Sequence, residues 1–261
     1  MILISHKGKT MDILLEICVD SYESAVRAAS AGAGRLELCG DLLVGGVSPS
    51  PWLIRQVQSA VKIPVNVLLR PRFGDFCFTK EEKEVLLREV EYCALAGVNG
   101  VVIGALTPEG DLDTDFLKQC AEKAEGMKLT LHRCFDVCRD PFDALEQAVR
   151  LGFHTMLTSG QAAKAPDGVA LLKELNKQAA GRIHLMAGSG VGPGNIRTIY
   201  EETGITHFHF SAKRNEPGPM LFKREGVPMG LPMASEFERQ YCDPEQVKKA
   251  REILNQLITT E

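Results

Sequence analysis

ILLEICVDSYESAVRAASAGAGRLELC, residues 13–39, holds one complete unit of this chain's design. A β-rich run, Ile13–Cys18, passes through Asp20-Ser21 into an alanine-rich helical stretch that stops at Gly32. A second β-rich run, Arg35–Cys39, follows at once. The unit recurs along the chain, with strand runs at Pro64–Arg70, Gly100–Gly104, Lys128–Arg133, His154–Thr158, Ile183–Met186 and His207–Phe210. The segments between them read as helices. Six end at a glycine, Gly32, Gly97, Gly126, Gly152, Gly181 or Gly204, where a left-handed residue closes a helix. Strands that alternate with helices imply a parallel sheet with right-handed crossovers. Eight units in 261 residues predict an α/β fold, a closed (β/α)8 barrel in a single domain. The active site of such a barrel lies at the C-terminal ends of its strands.

Helix starts are marked as well. Asp20 with Glu23, Thr79 with Glu82 and Asp243 with Gln246 have capping-box spacing. Ser50, Asp140 and Asp243 each precede a proline suited to the first helical position. The rhythm breaks once, between about Ser211 and Cys242, in a connection carrying Pro217, Pro219, Pro228 and Pro232. Loops of that length are usually lids or contact surfaces. This one carries Met220, Leu221, Phe222, Met229, Leu231, Met233 and Phe237. So much apolar surface predicts cover over the pocket or packing on a second subunit, and a homo-oligomer is the expectation.

Composition narrows the class of function. The net charge is -4, so no basic face for nucleic acid is expected. No apolar run is long enough to cross a membrane. Residues 1–10 read as a mobile N-terminal extension, with a domain of residues 11–261 after it. Their apolar stretch is too short for a signal peptide. Eight cysteines without a C-x-x-C read as reduced thiols in a cytoplasmic protein.

Side chains alternate across a strand, so parity sorts the barrel interior from its exterior. Glu16 and Cys18 share a face, as do Arg35, Glu37 and Cys39, then Asn66, Leu68 and Arg70, then Thr130, His132 and Cys134. The opposite faces are apolar and must meet the helices, so the polar sets point inward. The plain reading of that interior is an ion-paired plug, with Glu16, Arg35, Glu37 and Arg70 neutralising one another. The functional reading takes the strand tops. There Glu37, His132 and Asp136 are candidates to move protons, and Arg70 and Arg72 suit a carboxylate or phosphate.

A glycine-rich signal follows the later strands. Gly188-Ser189-Gly190 comes after the seventh, Ser211-Ala212-Lys213 after the eighth, and Thr158-Ser159-Gly160 after the sixth. In this fold such loops commonly bind phosphate through backbone N–H groups, although tight turns alone explain glycine too. Arg72, Ser159, Gly188, Ser189, Gly190, Ser211 and Lys213 are the anion-binding candidates. Cys18 and Cys39 end adjacent strands, which lie about 4.8 Å apart. Two thiolates so placed suit a soft ion such as Cu(I), and two buried thiols is the plainer alternative. His207 and His209 share a strand face, and a pair of imidazoles is not by itself a metal site.

Several motifs come in a familiar order: Glu16–Ser21, Arg35–Cys39, Gly45–Ser50, Arg70–Phe76, Gly104–Thr107, His132–Asp136, Leu157–Gly160 and Phe208–Ala212. From about Met11 to the C-terminus the chain resembles the CutC family, which is associated with copper homeostasis. The resemblance implies a TIM barrel, a cytosolic protein, Cu(I) held by Cys18 and Cys39, and a polar pocket at the strand tops. Cys134 and Cys138 stand where the family has other residues, so no copper role passes to them. Three readings fit. One is a Cu(I)-binding homeostasis protein with the copper ion on Cys18 and Cys39. Another is an enzyme acting on a small phosphorylated or carboxylated metabolite. The third is a non-catalytic barrel acting through its surface. The first leads.

Overall fold

The computed structural model describes residues 3–4, 10–11, 13–227, 229–231 and 234–260. Eight parallel strands close into a barrel: β1 (Leu14–Val19), β2 (Arg35–Leu38), β3 (Val65–Leu68), β4 (Gly100–Ile103), β5 (Lys128–Leu131), β6 (Thr155–Thr158), β7 (His184–Ala187) and β8 (His207–Phe210). Each pairs with its successor, and β8 pairs with β1. Around them run α1 (Tyr22–Ser30), α2 (Pro51–Ala60), α3 (Lys80–Ala96), α4 (Thr114–Lys123), α5 (Pro141–Arg150), α6 (Val169–Ala179), α7 (Ile196–Thr203) and α8 (Pro244–Thr260). The (β/α)8 reading therefore holds. Strand limits shift by a residue or a few. Pro64, for example, stays outside β3, since proline has no N–H to donate to a ladder.

The helix ends follow the expected chemistry. All six terminal glycines have positive φ. At Thr79 both capping-box bonds form with Glu82, and Ser50 and Asp140 cap α2 and α5. The first helix departs from expectation. Its cap is Ser21, which accepts from the Ser24 amide, while Asp20 accepts from the Leu42 amide at 3.0 Å. Asp20 is thus recruited to hold the loop after β2 and leaves the cap to its neighbour.

Parity sorted the two faces within the strands, but not Cys134, which lies in a 3-10 turn past the end of β5 and joins the outer core. Leu15, Ile17, Leu36, Leu38, Val67 and Ile103 join the large apolar core between sheet and helices. Cys18, Cys39, Leu68 and Val102 form a separate small cluster inside the barrel. Below that cluster Arg35 donates to Glu16, and both are buried. Arg35 also reaches the Met186 sulfur across the barrel at 3.7 Å.

The connection before α8 is organised by a hairpin of β9 (Lys213–Pro217) and β10 (Glu238–Cys242). Arg27 of α1 fastens it by pairing with Glu216 at 2.7 Å and lying over the Tyr241 ring. Between the arms Leu221 is 99 % exposed, and Met220, Phe222 and Met229 are exposed too. Among the described residues none of the four is buried, and Phe222 meets the Arg224 guanidinium over its ring. Pro228, Pro232 and Met233 lie outside the described residues. At the other end, Leu3–Ile4 pairs antiparallel with Thr10–Met11. The rest of the expected 1–10 extension is outside the described residues.

Removing one partner of a buried ion pair typically costs about 3–5 kcal/mol. Glu16→Leu should therefore lower the unfolding free energy in urea by about that amount. Adding Arg35→Met should recover most of the loss, and a double variant as unstable as the single would contradict a plug held by charge.

Candidate functional site

The strand register decides which side chains meet. Glu16 lies opposite Arg35 and Cys18 opposite Glu37, while His209 lies opposite Glu16 on the other side of β1. The Cys18 thiol donates to Glu37 Oε1 at 3.2 Å. His209 Nδ1 sits 2.8 Å from Glu16 Oε1. A carboxylate on one ring nitrogen fixes an imidazole's orientation and leaves the other for a ligand. Ligand atoms of Cys18, Glu37 and His209 all lie within 4.8 Å of one another. His209 is the residue that sequence reasoning passed over. Its signal, a second histidine on the inward face of the last strand, was visible, but its nearness to Cys18 was not.

Cys39 sits two residues higher than Cys18, because Cys18 pairs with Glu37. The two sulfurs are 3.8 Å apart. Two metal–sulfur bonds of about 2.3 Å would put sulfurs about 4.6 Å apart if collinear. The observed spacing suits a bent arrangement with further ligands. The group that converges is therefore cysteine, glutamate and histidine, with the second thiol beside it, and not a pair of thiols alone. Gly46 makes this closeness possible. Its φ is +88°, and a Cβ there would come 2.6 Å from Leu68 and 3.3 Å from Cys39.

The electrostatics separate two levels. Burial opposes ionisation of Glu16, but the Arg35 charge and the His209 hydrogen bond hold its pKa at about 2. Burial and the Glu16 charge push Glu37 upward, with His209 working the other way. The hydrogen bond with Cys39 and burial raise the Cys18 thiol well above its usual value. His209 is raised: burial opposes the proton, and the Glu37 and Glu16 carboxylates outweigh it. The four-residue plug is thus only half right. Glu16 and Arg35 neutralise each other, whereas Glu37 and Arg70 form no ion pair among the described residues.

Arg70 donates to the Gly46 and Gly74 carbonyls at 3.3 and 2.7 Å and lies over the Phe76 ring. His132 accepts the Cys134 amide on Nδ1 at 3.1 Å. Gly104 lets it sit deep, since a Cβ there would fall 2.8 Å from the ring. Glu37, Arg70, His132 and His209 share the wall of one cavity of about 110 Å³. Arg133 and His209 also line a wider mouth of about 370 Å³, with Cys18, Ser189, Gly190, Ser211 and Lys213.

The other candidates are differently employed. Asp136 accepts from Arg133, Thr158 Oγ1, and the amide and hydroxyl of Ser159 at 2.6–3.0 Å. It staples the loop after β5 to the loop after β6 and holds Arg133 at the mouth. Ser159 is consumed in that staple and in a bond to the Ala162 carbonyl. Arg72 is bound to Glu82 at 2.6 Å and to Asp75 at 3.1 Å, and it lines neither cavity. Gly188 lies against Leu157, where a Cβ would approach to 2.5 Å.

Comparison with known proteins agrees on one family. Residues 13–214 match the profile of the CutC family. A CutC family protein of Porphyromonas gingivalis is 42 % identical over 245 residues, covering 94 % of this chain and 99 % of that protein. A mouse protein named a copper homeostasis protein cutC homolog is 40 % identical, covering 96 % of this chain and 93 % of its own. A crystal structure of a putative copper homeostasis protein CutC from Streptococcus agalactiae superimposes with a TM-score of 0.73 at 30 % identity. It covers 77 % of this chain and 99 % of that one.

Burial and the Arg70 charge push the His132 pKa from 6.5 down to about 3. Between about pH 6.5 and 3 the unfolded chain takes up a proton that the folded chain refuses. The stability gained by keeping this ring neutral is complete above about pH 6.5 and is lost progressively as pH falls toward 3. His132→Leu should flatten that part of the stability–pH curve in urea denaturation. An unchanged slope would mean that the ring is not held neutral by burial.

Proposed function

The chain belongs to the CutC family, and from that footing we propose that it handles copper, holding one Cu(I) at the top of the barrel. Cys18 Sγ, His209 Nε2 and the Glu37 carboxylate supply the ligand atoms, with Cys39 close enough to join. The observation that carries this reading is the convergence of those three side chains, joined to the His209–Glu16 contact that orients the imidazole. Thiolate and imidazole suit Cu(I), and Cys18 and Glu37 are buried. The names given to the mouse and Streptococcus agalactiae relatives support the same metal. A thiolate site needs reduced cysteines, which suits the cytoplasm. All eight cysteines are free thiols in the fold.

A second reading is favoured by the mouth. Its cavity is lined by Ser189, Gly190, Ser211, Lys213 and Arg133, which suits the phosphate of a small metabolite and hence an enzyme. A ligand that binds only the native state stabilises it. Millimolar phosphate should therefore raise the melting temperature, and Lys213→Gln should reduce the shift. No stabilisation by phosphate or sulfate would remove this reading. The exposed Leu221, Phe222 and Met229 support a homo-oligomer built through the hairpin connection. Light scattering across a dilution series should show dissociation. A strict monomer at every concentration would oppose it.

For copper, anaerobic titration against a chromogenic chelator should give about one Cu(I) per chain. Cys18→Ser should weaken binding by at least about 100-fold and His209→Ala by about 10–100-fold. Cys39→Ser tests whether the second thiol is a ligand. Cys93→Ser, in a helix away from the site, should change nothing. Wild-type affinity in Cys18→Ser would refute the site.

A further inference from the structure

Glu37 and His209 of the proposed copper site also line the inner cavity of about 110 Å³, but a copper ion does not account for its other walls. Three buried polar atoms on its lining residues have no hydrogen-bond partner: Arg70 Nε, His132 Nε2 and Glu37 Oε2. Those residues are 8, 5 and 4 % exposed. Buried polar groups are nearly always satisfied, so three orphans around one space call for a ligand.

Arg70 gives its sign. Its terminal nitrogens donate to two carbonyls, and no described carboxylate lies within ion-pair distance of it. A buried guanidinium without a counter-ion lacks an anion. His132 adds a second donor. Because Nδ1 accepts the Cys134 amide, a neutral ring carries its proton on Nε2. Glu37 Oε2 faces the opposite need, for a group that donates. Beside Gly45, Arg133 and His209, the chamber has an apolar wall of Leu68, Leu157 and Phe76. They suit a short carbon skeleton and not the all-polar surface of phosphate.

We infer that this chamber binds a short 2-hydroxy monocarboxylate of about glycolate or lactate size. Its carboxylate takes the hydrogen bonds of Arg70 Nε and His132 Nε2. Its hydroxyl donates to Glu37 Oε2, and its carbons rest on Leu68, Leu157 and Phe76. This goes beyond the copper reading and stands whether or not a metal binds.

The test uses chelator-treated, reduced protein, so that failure of the copper reading does not affect it. Sodium lactate, glycolate, acetate and phosphate are titrated separately and followed by two-dimensional NMR and calorimetry. Lactate or glycolate should saturate at millimolar concentration or below, at least tenfold tighter than acetate. His132→Leu should weaken binding at least tenfold. Arg70 also braces two loops, so Arg70→Gln risks the fold. Leu68→Phe, which fills the chamber, replaces it and should abolish binding while thermal unfolding remains cooperative. Absence of saturable carboxylate binding overturns the inference. So does binding that survives Leu68→Phe, or phosphate binding that His132→Leu weakens while carboxylates do not bind.

Discussion

Glu16 and Arg35 face each other across β1 and β2 inside the barrel, and the chemistry above them depends on that contact. A buried carboxylate is tolerated because the guanidinium is beside it. Held ionised, Glu16 has a second oxygen free to fix His209. His209 in turn stands beside Cys18 and Glu37. A lower layer that fills and neutralises the interior thus presents an oriented imidazole to an upper layer that does not neutralise itself.

The upper layer carries the asymmetry expected of a binding site. Arg70 and Glu37 are both buried, yet among the described residues neither forms an ion pair, and Glu37 feels the His209 and Arg35 charges only as neighbours. Arg70 is steadied by carbonyls and an aromatic ring, and Glu37 by a thiol. Such supports hold a charged group in place without cancelling its charge. Asp136, by contrast, is surrounded by donors and works as a fastener between two loops. Two carboxylates of one barrel, Glu37 and Asp136, therefore do different work according to how many donors reach each.

Barrel architecture alone says little about activity. The family relation is carried by the long matches at about 40 % identity. What distinguishes a copper carrier from a metabolite-binding protein is then a matter of donor atoms. Sulfur and imidazole gather on the β8–β1–β2 side of the barrel. Guanidinium, imidazole and apolar wall gather around β3, β5 and β6.

Much was legible in the order of residues because it rests on short-range physics. Alternation has a period of two, so the inward set of Glu16, Cys18, Glu37, Asn66 and His132 could be named without coordinates. Helix ends are local too, and glycine at a left-handed position marks them. The repeat of strand and helix then leaves the closed barrel as the natural arrangement. Register and closure belong to the whole fold. The slide of β2 against β1 puts Glu37 beside Cys18 and lifts Cys39 two residues above it. Asp136 and Arg72 look like free ligands until the neighbouring loops supply their partners. Closure of β8 onto β1 joins residues 193 positions apart, His209 and Glu16. The chain determined by itself which side chains enter the interior. Which of them touch was decided by the stagger of the closed sheet, a property of all eight strands together that no local run of residues contains.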